Sequence, residues 1–192
     1  MNTKAIVLLL AAVLCAPLPT HAMKVGDIAI PDALPLDGSG HELLLNGAGM
    51  RVKFFMDIYV GALYLPARTA DPKTILADTG AASVLMKFVY KEVSRDKIVA
   101  GWNDGLASNL ERTELDALAG RIAQFNALFT TVRRGDSIRI DYNPATGTEV
   151  RINEELRGTV AGNDFFRALL RIWLGEHPVS TALKSAMLGR QD

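Results

Sequence analysis

Between Asn46 and Pro66 the chain reads NGAGMRVKFFMDIYVGALYLP, and its residue types alternate along most of that run. Side chains two apart in an extended strand share one side of it. Counted in twos from Val52, the set Val52, Phe54, Met56, Ile58, Val60, Ala62 and Tyr64 is apolar apart from one phenol. The other set is Arg51, Lys53, Phe55, Asp57, Tyr59, Gly61, Leu63 and Leu65. The pattern predicts one long strand, or two joined by a bend, with the apolar set lining a core. The second set then puts Arg51 and Tyr59 on one shared surface, unless a one-residue bulge between them separates the pair. Gly47 and Gly49 read as a turn leading into this run.

Other segments carry similar signals. Val25 to Ile30, His41 to Leu45 and Ala82 to Val93 read as strands. Asp71-Pro72 starts a short helical turn that Gly80 stops. Ser94 can cap a helix with Ile98, Trp102, Leu106 and Leu110 on one stripe. Thr113 with Asp116 resembles a capping box for a second helix, striped by Leu115, Leu118, Ile122, Phe125 and Phe129. Ser137 to Tyr142, Val150 to Ile152 and Leu156 to Val160 form a three-stranded meander. Asn163 caps a helix burying Phe165, Phe166, Leu169, Leu170 and Trp173, and a short helix after Pro178 closes at Gly189. Strands, a helical pair, strands again and terminal helices predict an α+β domain, an antiparallel sheet with its helices gathered on one face.

Composition narrows the chemistry. Residues 1–22 hold one charge (Lys4), an apolar run from Ile6 to Ala16 and the ending Thr20-His21-Ala22, the pattern of a secretory signal peptide. Removing it leaves a domain over residues 23–192, expected in the periplasm or outside the cell. Cys15 is the only cysteine, so the mature chain has no disulfide, thiolate nucleophile or thiolate metal site. Its preceding residue, Leu14, is too large for a lipid-attachment signal. The chain has 21 basic and 21 acidic side chains, and without Lys4 the mature domain is nearly neutral. That argues against a nucleic-acid partner and against strong attachment to anionic lipid. No later run is long and apolar enough for stable membrane insertion. Only His41 and His177 remain, neither beside a carboxylate cluster, so neither a metal nor another cofactor is expected. Gly47 and Gly49 lack the lysine and hydroxyl of a phosphate loop.

Four segments in order, NGAGMR with VKFFMDIYVGALYLP, SRDKIVAGWNDGL, GDSIRIDYNPATGTEV and FFRALLRIWLGEHPVS, cover nearly all of the mature domain. Through them the chain resembles the bacterial chalcone-isomerase-like proteins, the exported branch of the chalcone isomerase superfamily. The resemblance implies an open-faced β-sandwich, a large antiparallel sheet covered by helices. It also implies one of two activities: closure of a chalcone to a flavanone, or non-catalytic binding of fatty acids. In both groups an arginine in the strand after the glycines holds the anionic end of the ligand, and Arg51 matches it. Tyr59 falls at a ligand-contacting position that is threonine in the plant isomerases and tyrosine in the fatty-acid binders.

The helix from Ser94 to Leu110 departs from the enzymes. They carry a tyrosine and an asparagine there, whereas this chain offers Asn103 and Asn109 and no tyrosine. The glycine region is also shorter than theirs. The candidate ligand-binding residues are therefore Arg51, Tyr59 and Asn103, and no catalytic residue is assigned. The leading expectation is a periplasmic protein that binds a fatty acid or similar apolar carboxylate, with no catalysis. An intramolecular lyase on a phenolic enone, and a structural protein with a filled cleft, stand as alternatives. Trp102 and Trp173 read as packing residues, Tyr64 as core, and Lys53 and Asp57 as surface or mutually paired.

Overall fold

Gly47 and Gly49 lie inside a strand, not at a turn. The computed structural model describes residues 22–36 and 41–190. The expected presequence, with Cys15, lies outside them but for Ala22, which begins the first strand. In chain order the elements are β1 (Ala22–Val25), β2 (Ile28–Pro31), β3 (Ala33–Leu36), β4 (His41–Lys53), β5 (Met56–Leu65), α1 (Pro72–Ala77), β6 (Ala82–Phe88) and β7 (Glu92–Val93). There follow α2 (Arg95–Ala107), α3 (Arg112–Ala127), β8 (Val132–Arg133), β9 (Ser137–Asn143), β10 (Gly147–Ile152), β11 (Glu155–Val160), α4 (Asn163–Leu174) and α5 (Thr181–Met187). Seven strands form one antiparallel sheet in the order β11-β10-β9-β6-β5-β4-β3. The helices pack on one of its faces, as the sequence pattern predicts: the buried apolar helical side chains belong to the core on that side. The opposite cluster contains strand residues such as Val60, Ala62, Tyr64 and Leu85, and the β1–β2 hairpin packs over it.

Helix starts follow local chemistry. Asp71 accepts from the amides of Lys73 and Thr74 ahead of α1, with Pro72 at the first helical position. Ser94 accepts from Lys97 N–H to open α2. The capping box of α3 uses Glu111 and Glu114, two residues before the predicted Thr113 and Asp116, because the helix starts at Arg112. Gly162, not Asn163, occupies the cap position of α4, at φ +101°.

The run after Arg51 is two strands joined by a turn. Lys53 pairs with Met56, leaving Phe54 and Phe55 as a two-residue loop at φ +49° and +65°. Both positions of such a loop need positive φ, which is why asparagine and glycine dominate it. A bulky side chain there costs about 1 kcal/mol or more per residue. The hairpin also contains two irregularities. Asn46 is extra between Leu45↔Tyr64 and Gly47↔Leu63, and Ile58 is extra between Arg51↔Tyr59 and Val52↔Asp57.

The two faces of β5 differ from the sequence expectation. Tyr59, Leu63 and Leu65 enter the main core under the helices, whereas Val60, Ala62 and Tyr64 enter the helix-free cluster. Val52, Phe54 and Met56 belong to neither and are exposed. A central strand covered on both sides has no solvent face, so the polarity contrast could not tell its two sides apart. Tyr64, predicted as core, is fully buried and donates to the Pro31 carbonyl at 2.9 Å. On the same side, outward-reading residues of β9 and β10 are enclosed too. Arg139 pairs with Asp141 at 2.8 Å, and burial raises the Asp141 carboxyl above its ordinary pKa.

Glycine is required at 47 and 49 because α5 lies directly on β4. A methyl at Gly47 would stand 2.1 Å from the Ala186 carbonyl oxygen, and one at Gly49 would stand 2.5 Å from Ala186 Cβ. The extra residue, Asn46, turns this contact into a fixed joint. Its amide donates to the Met187 carbonyl at 2.8 Å and accepts from Thr69 N–H at 2.8 Å. Gly49→Ala is therefore expected to destabilise the fold by about 1–3 kcal/mol through overpacking. Ala186→Gly removes the opposing methyl and should return part of that loss, so urea denaturation of both single variants and the double will show non-additive energies.

Candidate functional site

The bulge at Ile58 sets up the site. Directly opposed residues of an antiparallel pair present their side chains on one face, and Arg51 and Tyr59 are such a pair. A bulge does lie between them in sequence. Because they sit on facing strands, it brings them opposite instead of separating them. Both face the helices, where the end of the hairpin, β6, β7 and α2 surround a cleft of about 450 Å³. Phe88, Met86, Ile98 and Ile172 give it apolar walls, and Lys53, Phe54 and Met56 line it near the hairpin tip. Its size and composition fit a small-molecule site. A larger, more open depression of about 830 Å³ lies around Asn46 and Gly47. Its two arginines are engaged with main-chain carbonyls, Arg68 with Leu45 at 2.8 Å and Arg190 with Ala70 at 2.7 Å.

Tyr59 is buried at 8% exposure, its ring 5.6 Å from that of Phe88. The indole N–H of Trp173 donates to its oxygen at 3.1 Å. Burial pushes the phenol up to about 12, against smaller opposing effects from the Trp173 bond and the Arg51 charge. It therefore stays protonated at neutral pH, with one lone pair already occupied and an O–H to give. Arg51 is half-buried and donates to the Val52 carbonyl; no carboxylate pairs with it among the described residues. Trp102 also lines the cleft, and its buried indole N–H has no partner among the described residues. A guanidinium, a neutral phenol and an unpaired indole N–H are all donors. The carboxylates of the lining are Glu92, paired with Arg133 at 2.9 Å, and Asp104.

Asn103 does not join this group. It projects from the exposed side of α2 and accepts from Asn126 of α3 at 2.9 Å, outside the lining of the cleft. Asn109 is committed to the chain after α4. Its amide donates to the His177 carbonyl at 2.8 Å and accepts from the His177 N–H at 3.0 Å. Lys53 and Asp57 are exposed and make no ion pair with each other. The tryptophans, read from their stripes as packing residues, are indeed buried, with rings 5.7 Å apart. Their additional role is polar. The available signal was chemical: a buried indole N–H needs an acceptor.

A family model described as chalcone isomerase-like matches residues 22–189. The chain belongs to the chalcone isomerase-like family. Among solved structures, this member is similar to a fatty-acid binding protein of Arabidopsis thaliana. The two share 15% identity at a TM-score of 0.58, covering 81% of this chain and 95% of the other. That likeness establishes a common fold, the large antiparallel sheet with helices on one side. No curated protein sequence matches the chain.

The raised phenol has a consequence for stability. An ordinary tyrosine in the unfolded chain ionises near 10, whereas Tyr59 in the fold holds its proton to about 12. Its contribution is complete below pH 10 and is lost as pH rises from 10 toward 12, because the unfolded chain then releases the proton more readily. Absorbance titration near 295 nm is expected to show a phenolate component near pH 12 in the native protein that Tyr59→Phe removes. A Tyr59 signal near pH 10 would contradict the burial described.

Proposed function

We propose that this chalcone isomerase-like protein is a non-catalytic binder of a fatty acid or similar apolar carboxylate. In this reading the carboxylate meets Arg51 and Tyr59, and the apolar tail lies against Phe88, Met86 and Ile98. One observation carries it: an arginine without a carboxylate partner among the described residues stands opposite a phenol held neutral, at an apolar cleft. An arginine fork and a carboxylate make short, charge-assisted bonds. In surroundings of low polarity these gain strength, and the cation is costly to leave unmatched. The fold likeness to a plant fatty-acid binding protein supports the reading without deciding the ligand. The sequence pattern of residues 1–22 supports placing the mature protein in the periplasm or outside the cell.

Catalysis of a chalcone closure is less well served. Helix α2 contains no tyrosine, and its neighbouring asparagines are occupied, Asn103 by Asn126 and Asn109 by the His177 main chain. Tyr59, with its raised pKa, cannot act as a base near neutral pH.

Protein purified from its native compartment is expected to carry fatty acid detectable by mass spectrometry of an organic extract. Arg51→Ala should weaken fatty-acid binding about 10–100-fold, the order of one charge-assisted contact. If no lipid copurifies, no fatty acid binds and Arg51→Ala alters neither result, the proposal fails. Cyclisation of a chalcone far above its spontaneous rate, abolished by Arg51→Ala, would replace it with the isomerase reading.

A further inference from the structure

The β4–β5 hairpin ends in apolar side chains that belong to neither core cluster of the described residues. Phe54 is 80% exposed and Phe55 fully so, with Val52 and Met56 also exposed beside them. Exposed single apolar residues are ordinary, but four on one protruding tip are not. The tip is also conformationally unfavourable, since both phenylalanines hold positive φ. Elsewhere the chain places polar residues at such positions. The β10–β11 hairpin places Asn153 and Glu154 at the same two turn positions, at φ +52° and +66°. Strain accepted for two solvent-exposed aromatic rings points to a contact outside the molecule.

The geometry points to a lipid surface: the Phe54–Phe55 tip is an interfacial wedge that docks the mouth of the cleft onto a bilayer bearing anionic headgroups. Three features favour a bilayer over a protein partner. The apolar groups form a projecting tip, whereas a protein interface centres on residues packed into pockets. The tip carries two cations, Arg51 and Lys53, against one acid, Asp57 opposite Val52, and the net positive charge matches phosphate headgroups; the Lys53 ammonium lies 5.8 Å from the Phe54 ring. The reach is also suitable. Two to three residues beyond Arg51 at strand rise give about 7–10 Å, within the depth at which interfacial apolar side chains settle. Arg51 and Lys53 then lie at headgroup level, with their stems among the apolar groups. This is shallow docking of a nearly neutral protein, not a membrane span.

The tip and the cleft are continuous, because Lys53, Phe54 and Met56 line the cleft near Arg51. Docking there would let an apolar carboxylate pass between bilayer and cleft without crossing water. That use rests on the fatty-acid reading, whereas the docking itself does not.

The test uses the mature chain and flotation with vesicles of phosphatidylcholine alone or mixed with phosphatidylglycerol. Phe55→Gly is the informative variant, since Phe55 is outside the cleft lining and glycine suits its positive φ. The wild type should float with the mixed vesicles. Phe55→Gly should lose about tenfold in vesicle affinity, the order of withdrawing one phenylalanine from an interface, while its melting temperature holds or rises and fatty-acid binding persists. Tyr59→Phe should show the reverse, weakened fatty-acid binding with unchanged flotation. A wild type that floats but binds no fatty acid sinks the ligand reading and leaves the docking surface standing. The docking proposal is overturned if the wild type fails to float, or if Phe55→Gly floats equally well. A photo-crosslinker at position 55 that captures a protein in cells instead of lipid overturns it too.

Discussion

The contact between α5 and β4 is the constraint from which the site follows. A helix laid on a sheet normally keeps its distance through the side chains between them. Here Gly47 and Gly49 remove them, and α5 approaches within reach of a single methyl. The Asn46 side chain then ties the irregular strand to the Met187 carbonyl at the helix end. These links hold the middle of β4, from Asn46 to Gly49, and β5 pairs with it in the observed register. With that register fixed, the bulge at Ile58 leaves Arg51 opposite Tyr59. A change of one residue in either bulge would turn one of the pair toward the helix-free cluster.

Immediately around this pair hydrogen-bond donors predominate. Helix α4 supplies Trp173, whose N–H takes a lone pair of the Tyr59 oxygen, and the surrounding core keeps that phenol protonated. Helix α2 supplies Trp102, whose N–H is unmatched among the described residues, and β4 supplies a permanent cation without a carboxylate among them. An apolar cleft in which Arg51, Tyr59 and Trp102 all offer donors suits the proposed anionic ligand better than a neutral molecule awaiting proton transfer. The distinction between binding and catalysis therefore rests on protonation and on which side chains are already occupied. Fold alone, shared by proteins of different activity, does not decide it.

Much of this was legible in the sequence, for identifiable reasons. The stripes of α2, α3 and α4 have helical spacing, and the β9–β11 meander has turn residues where its chain reverses, so both read directly. Asp71-Pro72 and Ser94 marked helix starts because their side chains satisfy local amides. The β4–β5 hairpin was obscured because its turn is Phe-Phe, without asparagine or glycine, between two runs whose alternation continues unbroken. Gly47 and Gly49 read as a turn because glycine's freedom to bend and its lack of a side chain look identical in sequence. Only α5, about 140 residues away in sequence, reveals which property is used. Asn103 failed as a site residue for a related reason. The residues beside it, Trp102 and Asp104, line the cleft, but its own position on the helix turns it toward Asn126.

Two departures from stable local chemistry thus stand within five residues of each other: a half-buried arginine lacking a counter-ion among the described residues, and an exposed aromatic pair in strained backbone. Each could be relieved by substitution without disturbing the helices, since neither side chain contributes to the core. Globular proteins are stable by only about 5–15 kcal/mol, so unfavourable terms of this size are not negligible to the fold. Departures from local consistency tend to mark function. Their shared position, on one hairpin at the mouth of one cleft, makes two unrelated accidents a weaker explanation than one site. That site would take an anion at Arg51 and an apolar surface at Phe54 and Phe55, the two chemical characters of a single amphipathic class of molecule.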